Sequence, residues 1–172
     1  PMIILAPENV QDCYTLTVAA FNFAERYRAP VFLASQKEVA MIREVFDYDR
    51  ARAEAPPAFA RPVAAVDCVY EPHACSAPDQ VPLMSPIGGP HLVRYTTSTH
   101  DQRAYLTGDP EIIGAMVEHY QRKIEAHAEE MGLYDEELEP GAETLILAYG
   151  VSLGGAVAIQ LAVDRPVAGL IV

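Results

Sequence analysis

Gly150-Val151-Ser152-Leu153-Gly154 has the G-x-S-x-G spacing of a nucleophile elbow, and it lies between an apolar run and a helical pattern, as that motif requires. A serine hydroxyl attacks at neutral pH only when a histidine takes its proton and an acid orients that histidine. In α/β-hydrolases the acid and then the histidine follow the serine. Here the last histidine, His127, precedes Ser152, and Asp164 is the only acid after it. A serine hydrolase at Ser152 is therefore the weakest reading of the chain. The turn reads better as a Gly-rich strand-to-helix connection, where glycine permits close packing and positive φ. Such a turn can also hold phosphate at a helix N-terminus, but the G-x-G-x-x-G spacing and a P-loop lysine are both missing.

The remaining reactive side chains do not form a metal pattern. His119 and His127 fall eight residues apart on one expected helix, about 12 Å along its axis, too far for one ion. They read as partly exposed helical histidines. His73 is close to Cys75, without a second pair of ligands. His100-Asp101 sets a carboxylate beside an imidazole, a combination that suits acid–base work, although a local turn with satisfied hydrogen bonds accounts for the same pair. Cys13, Cys68 and Cys75 are odd in number and lack C-x-x-C spacing. They suit free thiols in a reducing cytoplasm, and they give no iron–sulfur or zinc motif. On these residues no catalytic, cofactor-binding or metal-binding position is assigned, and the expected localisation is cytoplasmic.

The elements that would position these groups follow from periodicity. Met2–Ala6 reads as a short buried strand, Pro7-Glu8-Asn9 as a capping turn, and Val10–Arg28 as a helix with Tyr14, Leu16, Val18, Phe21, Ala24 and Tyr27 as its apolar content. Pro30 stops it, and Val31–Ala34 reads as a parallel strand buried on both faces. Together they make a βαβ unit. Gln36–Phe46 is expected to be a further helix. From Asp47 to Pro90 eight prolines interrupt any period (Pro56, Pro57, Pro62, Pro72, Pro78, Pro82, Pro86 and Pro90), so a long segment crossing a neighbouring surface is expected. Asp109-Pro110 opens the clearest helix, with Ile112, Ile113, Met116, Tyr120, Ile124 and Met131 on its apolar side and Gly132 at its end. A strand at Glu143–Tyr149, a helix at Ala156–Val163 and a strand at Val167–Val172 would form a second βαβ unit. Both ends fall on strand patterns, which leads to the expectation that the natural protein is longer or is completed by separate chains.

Charge narrows the partners. The 172 residues carry 24 acidic against 12 basic side chains, a net charge of −12, so neither nucleic acid nor an anionic membrane surface is an expected partner. The late acids, Glu129 to Glu139, read as a solvated face. Apolar runs fall short of the roughly 20 residues that a spanning helix needs. The opening residues lack the basic flank of a signal peptide.

Three stretches, in order, resemble one family. Ala20, Phe21, Ala24, Glu25, Tyr27, Pro30 and Val31 supply an A-F-x-x-A-E-x-Y-x-x-P-V pattern. The run from Thr96 through His100-Asp101, then Asp109-Pro110 and Arg122-Lys123-Ile124, is similar to its T-G-x-x-H-D segment, D-P-E turn and R-K-I helix end, with Thr97 in place of the family glycine. Gly141–Gly150 with Ala156 and Ala158 resembles the opening of its second domain. The family is the alpha subunit of the 2-oxoacid:ferredoxin oxidoreductases (pyruvate and 2-oxoglutarate:ferredoxin oxidoreductases), of which this chain looks like an internal portion.

The resemblance implies an α/β fold made of parts of two parallel-sheet βαβ domains. Residues 1–47 would end a domain like the thiamine-diphosphate pyrimidine-binding domain, and 48–109 would be a crossing segment. Residues 110–140 would be a helix and acidic linker, and 141–172 would start a transketolase C-terminal-like domain. It implies oxidative decarboxylation of a 2-oxoacid with coenzyme A, with thiamine diphosphate and magnesium in the assembled enzyme. Iron–sulfur clusters in partner domains or subunits would pass electrons to ferredoxin. The family residues that touch the aminopyrimidine and substrate lie upstream of the matched region, so neither Glu8 nor Glu25 takes the role of activating glutamate. The chain alone is expected to bind none of these cofactors and to be inactive. The alternative is a non-catalytic α/β subunit-association module.

Overall fold

In the computed structural model, residues 2–94 and 98–133 are described. Strand β1 (Ile3–Leu5), helix α1 (Val10–Tyr27) and strand β2 (Val31–Leu33) follow one another, and the strands pair in parallel with Ile3 opposite Val31 and Leu5 opposite Leu33. This is the expected strand–helix–strand unit. Asn9 starts α1 by accepting the Asp12 amide at 2.9 Å, which satisfies one of the unpaired donors of the first turn. At the other end Arg28 adopts the left-handed conformation, φ 46°, and turns the chain toward Pro30 and β2.

Ile3 and Leu5 point under α1 and meet Ala19 and Tyr27, with Leu16, Phe23, Val31, Ile124 and Met131 packed around them. Alternation along β1 leaves Ile4 on the opposite face, outside this core. β2 was expected to be buried on both faces, and it is not. Phe32 is 52% exposed and Leu33 38%, because the described sheet has only two strands and helix covers one of its faces. Phe21, part of the expected apolar content of α1, also faces outward.

The helix expected at Gln36–Phe46 is shorter. Helix α2 spans Lys37–Met41 and buries none of its residues. Without an apolar stripe to dock, a helix this short gains little from packing. Residues beyond it are recruited elsewhere: Glu44 accepts the Val10 amide at 3.2 Å, and Phe46 packs on Tyr14 with ring centroids 6.0 Å apart.

The proline-rich segment holds a helix that was not expected. Helix α3 (Tyr48–Glu54) is capped by Asp47, which accepts the Arg50 amide at 2.9 Å, and it buries Ala51 completely. Seven residues with one small buried side chain leave no repeat to detect. The segment then lies along this chain's own α1. Asn22 donates to the Pro57 carbonyl at 2.9 Å and accepts the Phe59 amide at 2.8 Å, and Arg61 pairs with Glu25. Further on, Val63 and Met84 form a parallel bridge.

Helix α4 (Pro110–Glu125) has the expected start: the Asp109 carboxylate accepts from Glu111 at 2.9 Å and Ile112 at 3.4 Å, with proline in the first turn. It ends earlier than expected. Helix α5 (Ala128–Met131) is a separate turn with His127 at its N-cap and Gly132 at its C-cap. His127 therefore does not share a helical face with His119. The second βαβ unit, with the Ser152 turn and the strands expected at 143–149 and 167–172, lies outside the described residues.

Candidate functional site

The C-terminal turn of α1 is where distant parts of the chain meet. One guanidinium nitrogen of Arg28, Nη1, donates to the carbonyls of Pro72, Pro82 and Leu83 at 2.7, 3.0 and 3.2 Å. The Arg28 carbonyl accepts from Lys123 Nζ at 3.3 Å, so α4 is tied to the negative end of α1 by a cation. One residue earlier, the buried Tyr27 hydroxyl donates to Glu130 at 2.9 Å, and Arg26 pairs with the same carboxylate at 2.9 Å. Burial, then the neighbouring Glu130, push the Tyr27 phenol up to about 12. The Tyr27 hydroxyl in turn holds the Glu130 carboxyl below its usual range.

Arg28, His73, Pro82, Tyr120, Lys123 and Ile124 line most of a cavity of about 220 Å³ at this junction. α4 brings Tyr120 and Lys123 to it, three residues apart on one face. The same face carries Met116 and His119, both buried. His73 stacks on His100, ring centroids 4.0 Å apart and 23° from parallel. Burial, then the charges of His100, Arg28 and Lys123, push His73 down to about 4. Burial and Arg28 likewise push Lys123 down to about 8. Burial raises the Cys75 thiol and the Tyr120 phenol. Near neutral pH the junction therefore holds neutral imidazole, thiol and phenol groups beside two cations.

The other sequence candidates resolve into local structure. The Asp101 carboxylate accepts the Arg103 and Tyr105 amides, both at 2.9 Å, and so shapes a turn. His119, expected to be partly exposed, is 6% exposed. Its Nδ1 lies 2.9 Å from the Pro78 carbonyl and so carries the proton, while Nε2 is buried with no partner. Burial lowers its pKa. Glu25 is held below the usual carboxylate range by Arg61.

All three cysteines are free. The sequence did not point to one grouping. His91 lies 2.9 Å from the buried Ser85 hydroxyl and 3.9 Å from Cys68 Sγ, and its ring stacks on Tyr70 at 5.0 Å. Nothing in the spacing of residues 68, 70, 85 and 91 marks that cluster, because an irregular loop builds it.

Residues 1–119 match the family described as pyruvate flavodoxin/ferredoxin oxidoreductase, thiamine diP-bdg. The chain belongs to that family.

Among curated relatives, the 2-oxoglutarate synthase subunit KorA of Methanothermobacter thermautotrophicus is 31% identical over 170 residues, 94% of this chain and 42% of the relative. The KorA subunit of Methanocaldococcus jannaschii is 31% identical over 158 residues, 87% of this chain and 39% of the relative. The chain thus spans about two fifths of the length of these relatives. A solved 2-oxoglutarate:ferredoxin oxidoreductase from Magnetococcus marinus, with 2-oxoglutarate, coenzyme A and succinyl-CoA bound, shares the fold with a TM-score of 0.67 at 20% identity, over 97% of this chain and 29% of that one.

Thiamine diphosphate needs oxygen donors for its divalent ion and a carboxyl group against its aminopyrimidine. Among the described residues no three His, Cys, Asp or Glu side chains converge to hold a metal ion. The junction cavity lacks a lining carboxylate. Among the same residues no helix is long and apolar enough to cross a membrane.

Proposed function

We propose that this chain is an alpha-subunit portion of a 2-oxoglutarate:ferredoxin oxidoreductase. It would act within a larger assembly that decarboxylates the 2-oxoacid oxidatively with coenzyme A. The observation that carries this reading is the family match over residues 1–119, together with KorA relatives aligned over 94% and 87% of the chain. Thiamine diphosphate and magnesium would be bound in the assembly, with iron–sulfur clusters in a partner subunit passing electrons to ferredoxin. The choice of 2-oxoglutarate over other 2-oxoacids rests on the names of those relatives.

In this reading residues 1–47 close the pyrimidine-binding-like domain, 48–109 cross over it, 110–140 form a helix and linker, and 141–172 open the transketolase C-terminal-like domain. Residues 2–133 would contribute scaffold, with α1, α4 and the crossing segment clamped at Arg28. No catalytic residue is placed in the chain.

The test is viologen reduction by the native, anaerobic, cofactor-replete preparation that contains this chain, with pyruvate, 2-oxoglutarate and branched-chain 2-oxoacids in parallel. Reduction that depends on thiamine diphosphate and coenzyme A, and is fastest with 2-oxoglutarate, is expected. A preference for another 2-oxoacid would overturn the substrate. No reduction with any of them would overturn the catalytic reading and favour a subunit-association module.

A further inference from the structure

We propose that the cavity between the end of α1, the Pro72–Pro82 stretch and α4 is a binding site for a small oxyanion, a carboxylate or a phosphate, with Lys123 as its principal ligand. Lys123 is 4% exposed. Among the described residues, the one hydrogen bond of its ammonium group is to the Arg28 carbonyl, at 3.3 Å. Capping α1 in this way uses one of three N–H donors and brings no negative charge to the cation. Its aromatic neighbour, the Tyr120 ring with its centroid 5.5 Å from Nζ, supplies none either. A buried cation is normally paired with a carboxylate. No Asp or Glu lines this cavity, which instead adds Arg28 and His73 to the same walls. The nearby Asp101 carboxylate is already held by the Arg103 and Tyr105 amides.

Size limits the ligand. The cavity of about 220 Å³ far exceeds the roughly 30 Å³ share of one water, yet falls below the roughly 300 Å³ at which sites for larger organic ligands begin. A phosphate or a short carboxylate fits within it. Pro82 and Ile124 supply apolar wall. There the local dielectric strengthens an ion pair relative to water. Burial is the main cause that disfavours charge at His73 and Lys123, and an occupying anion would offset the smaller repulsion that Arg28 exerts on both.

The chain carries just one other lysine, the exposed Lys37, which serves as an internal reference. The native assembly is trace-acetylated with acetic anhydride near pH 8, and labelling of Lys123 relative to Lys37 is read by mass spectrometry. Inorganic phosphate or succinate is titrated at constant ionic strength held with chloride. Only the neutral amine reacts, so an anion that raises the Lys123 pKa by about one unit cuts its labelling roughly fivefold. A saturable fall with phosphate, with succinate or with both is expected, and the more effective anion identifies the oxyanion class. A ratio that neither anion changes beyond the chloride control would overturn the proposal.

As a second measurement, the effective anion should slow hydrogen exchange in residues 72–84 of the wild type, and Lys123→Gln should abolish that slowing. Slowing that persists undiminished in Lys123→Gln would also overturn it. Neither readout depends on turnover, so the site can fail while the oxidoreductase reading stands, and the reverse.

Discussion

Replacing Arg28 tests the clamp most directly. Its Nη1 serves three carbonyls, of Pro72, Pro82 and Leu83, but has two hydrogens to donate. Two well-directed bonds from a charged donor, discounted because Leu83 is exposed and water can replace the donor there, put Arg28→Ala at roughly 2–4 kcal/mol of local stability. By the tenfold per 1.4 kcal/mol rule, amide exchange in the Ala64 to Ser85 stretch should accelerate roughly 30- to 1000-fold. Arg28→Gly separates two effects. It loses the same guanidinium, but at φ 46° glycine escapes the left-handed penalty of about 1 kcal/mol that alanine carries. The glycine variant should therefore be less perturbed than the alanine variant, most clearly in the last turn of α1. The assay is hydrogen exchange with mass spectrometry on the intact protein. Exchange in residues 64–85 of Arg28→Ala within twofold of wild type, or Arg28→Gly opening more than Arg28→Ala, would refute the reasoning.

Tyr27→Phe keeps the core ring and removes the hydroxyl that donates to Glu130 at 2.9 Å. Exchange in α5 should rise by the equivalent of roughly 1–2 kcal/mol with little change in α1; an unchanged α5 would show that the bond contributes nothing. Asp109→Ala removes the cap of α4 and should cost about 1 kcal/mol, read as faster exchange of the Glu111 and Ile112 amides and not of the last turn. His73 predicts a pH effect. Its folded pKa is about 4, against about 6.5 in an unfolded chain, so the unfolded chain binds more protons between those values. Stability of the Pro72–Pro82 region should be full above pH 6.5 and be lost as pH falls toward 4. His73→Asn should remove part of that slope in hydrogen exchange corrected for intrinsic rates, and an identical slope in the variant would count against the assignment.

Elements with strong local signals were legible in the sequence. Asn9 before α1, Asp109-Pro110 before α4 and the apolar run of β1 all stand where capping and periodicity put them. Where a signal was short or the deciding contact was distant, the reading failed. α3 is too brief to repeat, α2 stops because Glu44 and Phe46 serve α1, and the exposure of β2 depends on what else the sheet contains. The junction itself was half legible. Tyr120 and Ile124 were placed on the inner face of α4, but a polarity rule could not place His119 and Lys123 beside them. Their long side chains are buried because they fall at the right helical spacing and find carbonyls, of Pro78 and Arg28, at the end of their reach. Arg28 reads as an ordinary cation at a helix end, and only the folded path of the loop shows that it gathers three carbonyls.

That gathering at Arg28 also bears on the order in which the chain folds. Ile3 and Val31 pair across a short stretch, and the helix between them closes it, so β1, α1 and β2 can assemble early. The tie from Lys123 to Arg28 spans 95 residues and that from Tyr27 to Glu130 spans 103. Closing loops of that length costs only about 1 kcal/mol more than closing the first unit, because loop entropy grows as a logarithm. The delay comes instead from waiting: the polar contacts at the last turn of α1 are completed only when residues 72–83 and then 123–130 arrive. A ribosome delivering about 5–20 residues per second would leave those contacts unmade for several seconds. During that interval the Tyr27 hydroxyl waits for Glu130, and the Arg28 guanidinium waits for the carbonyls of Pro72, Pro82 and Leu83.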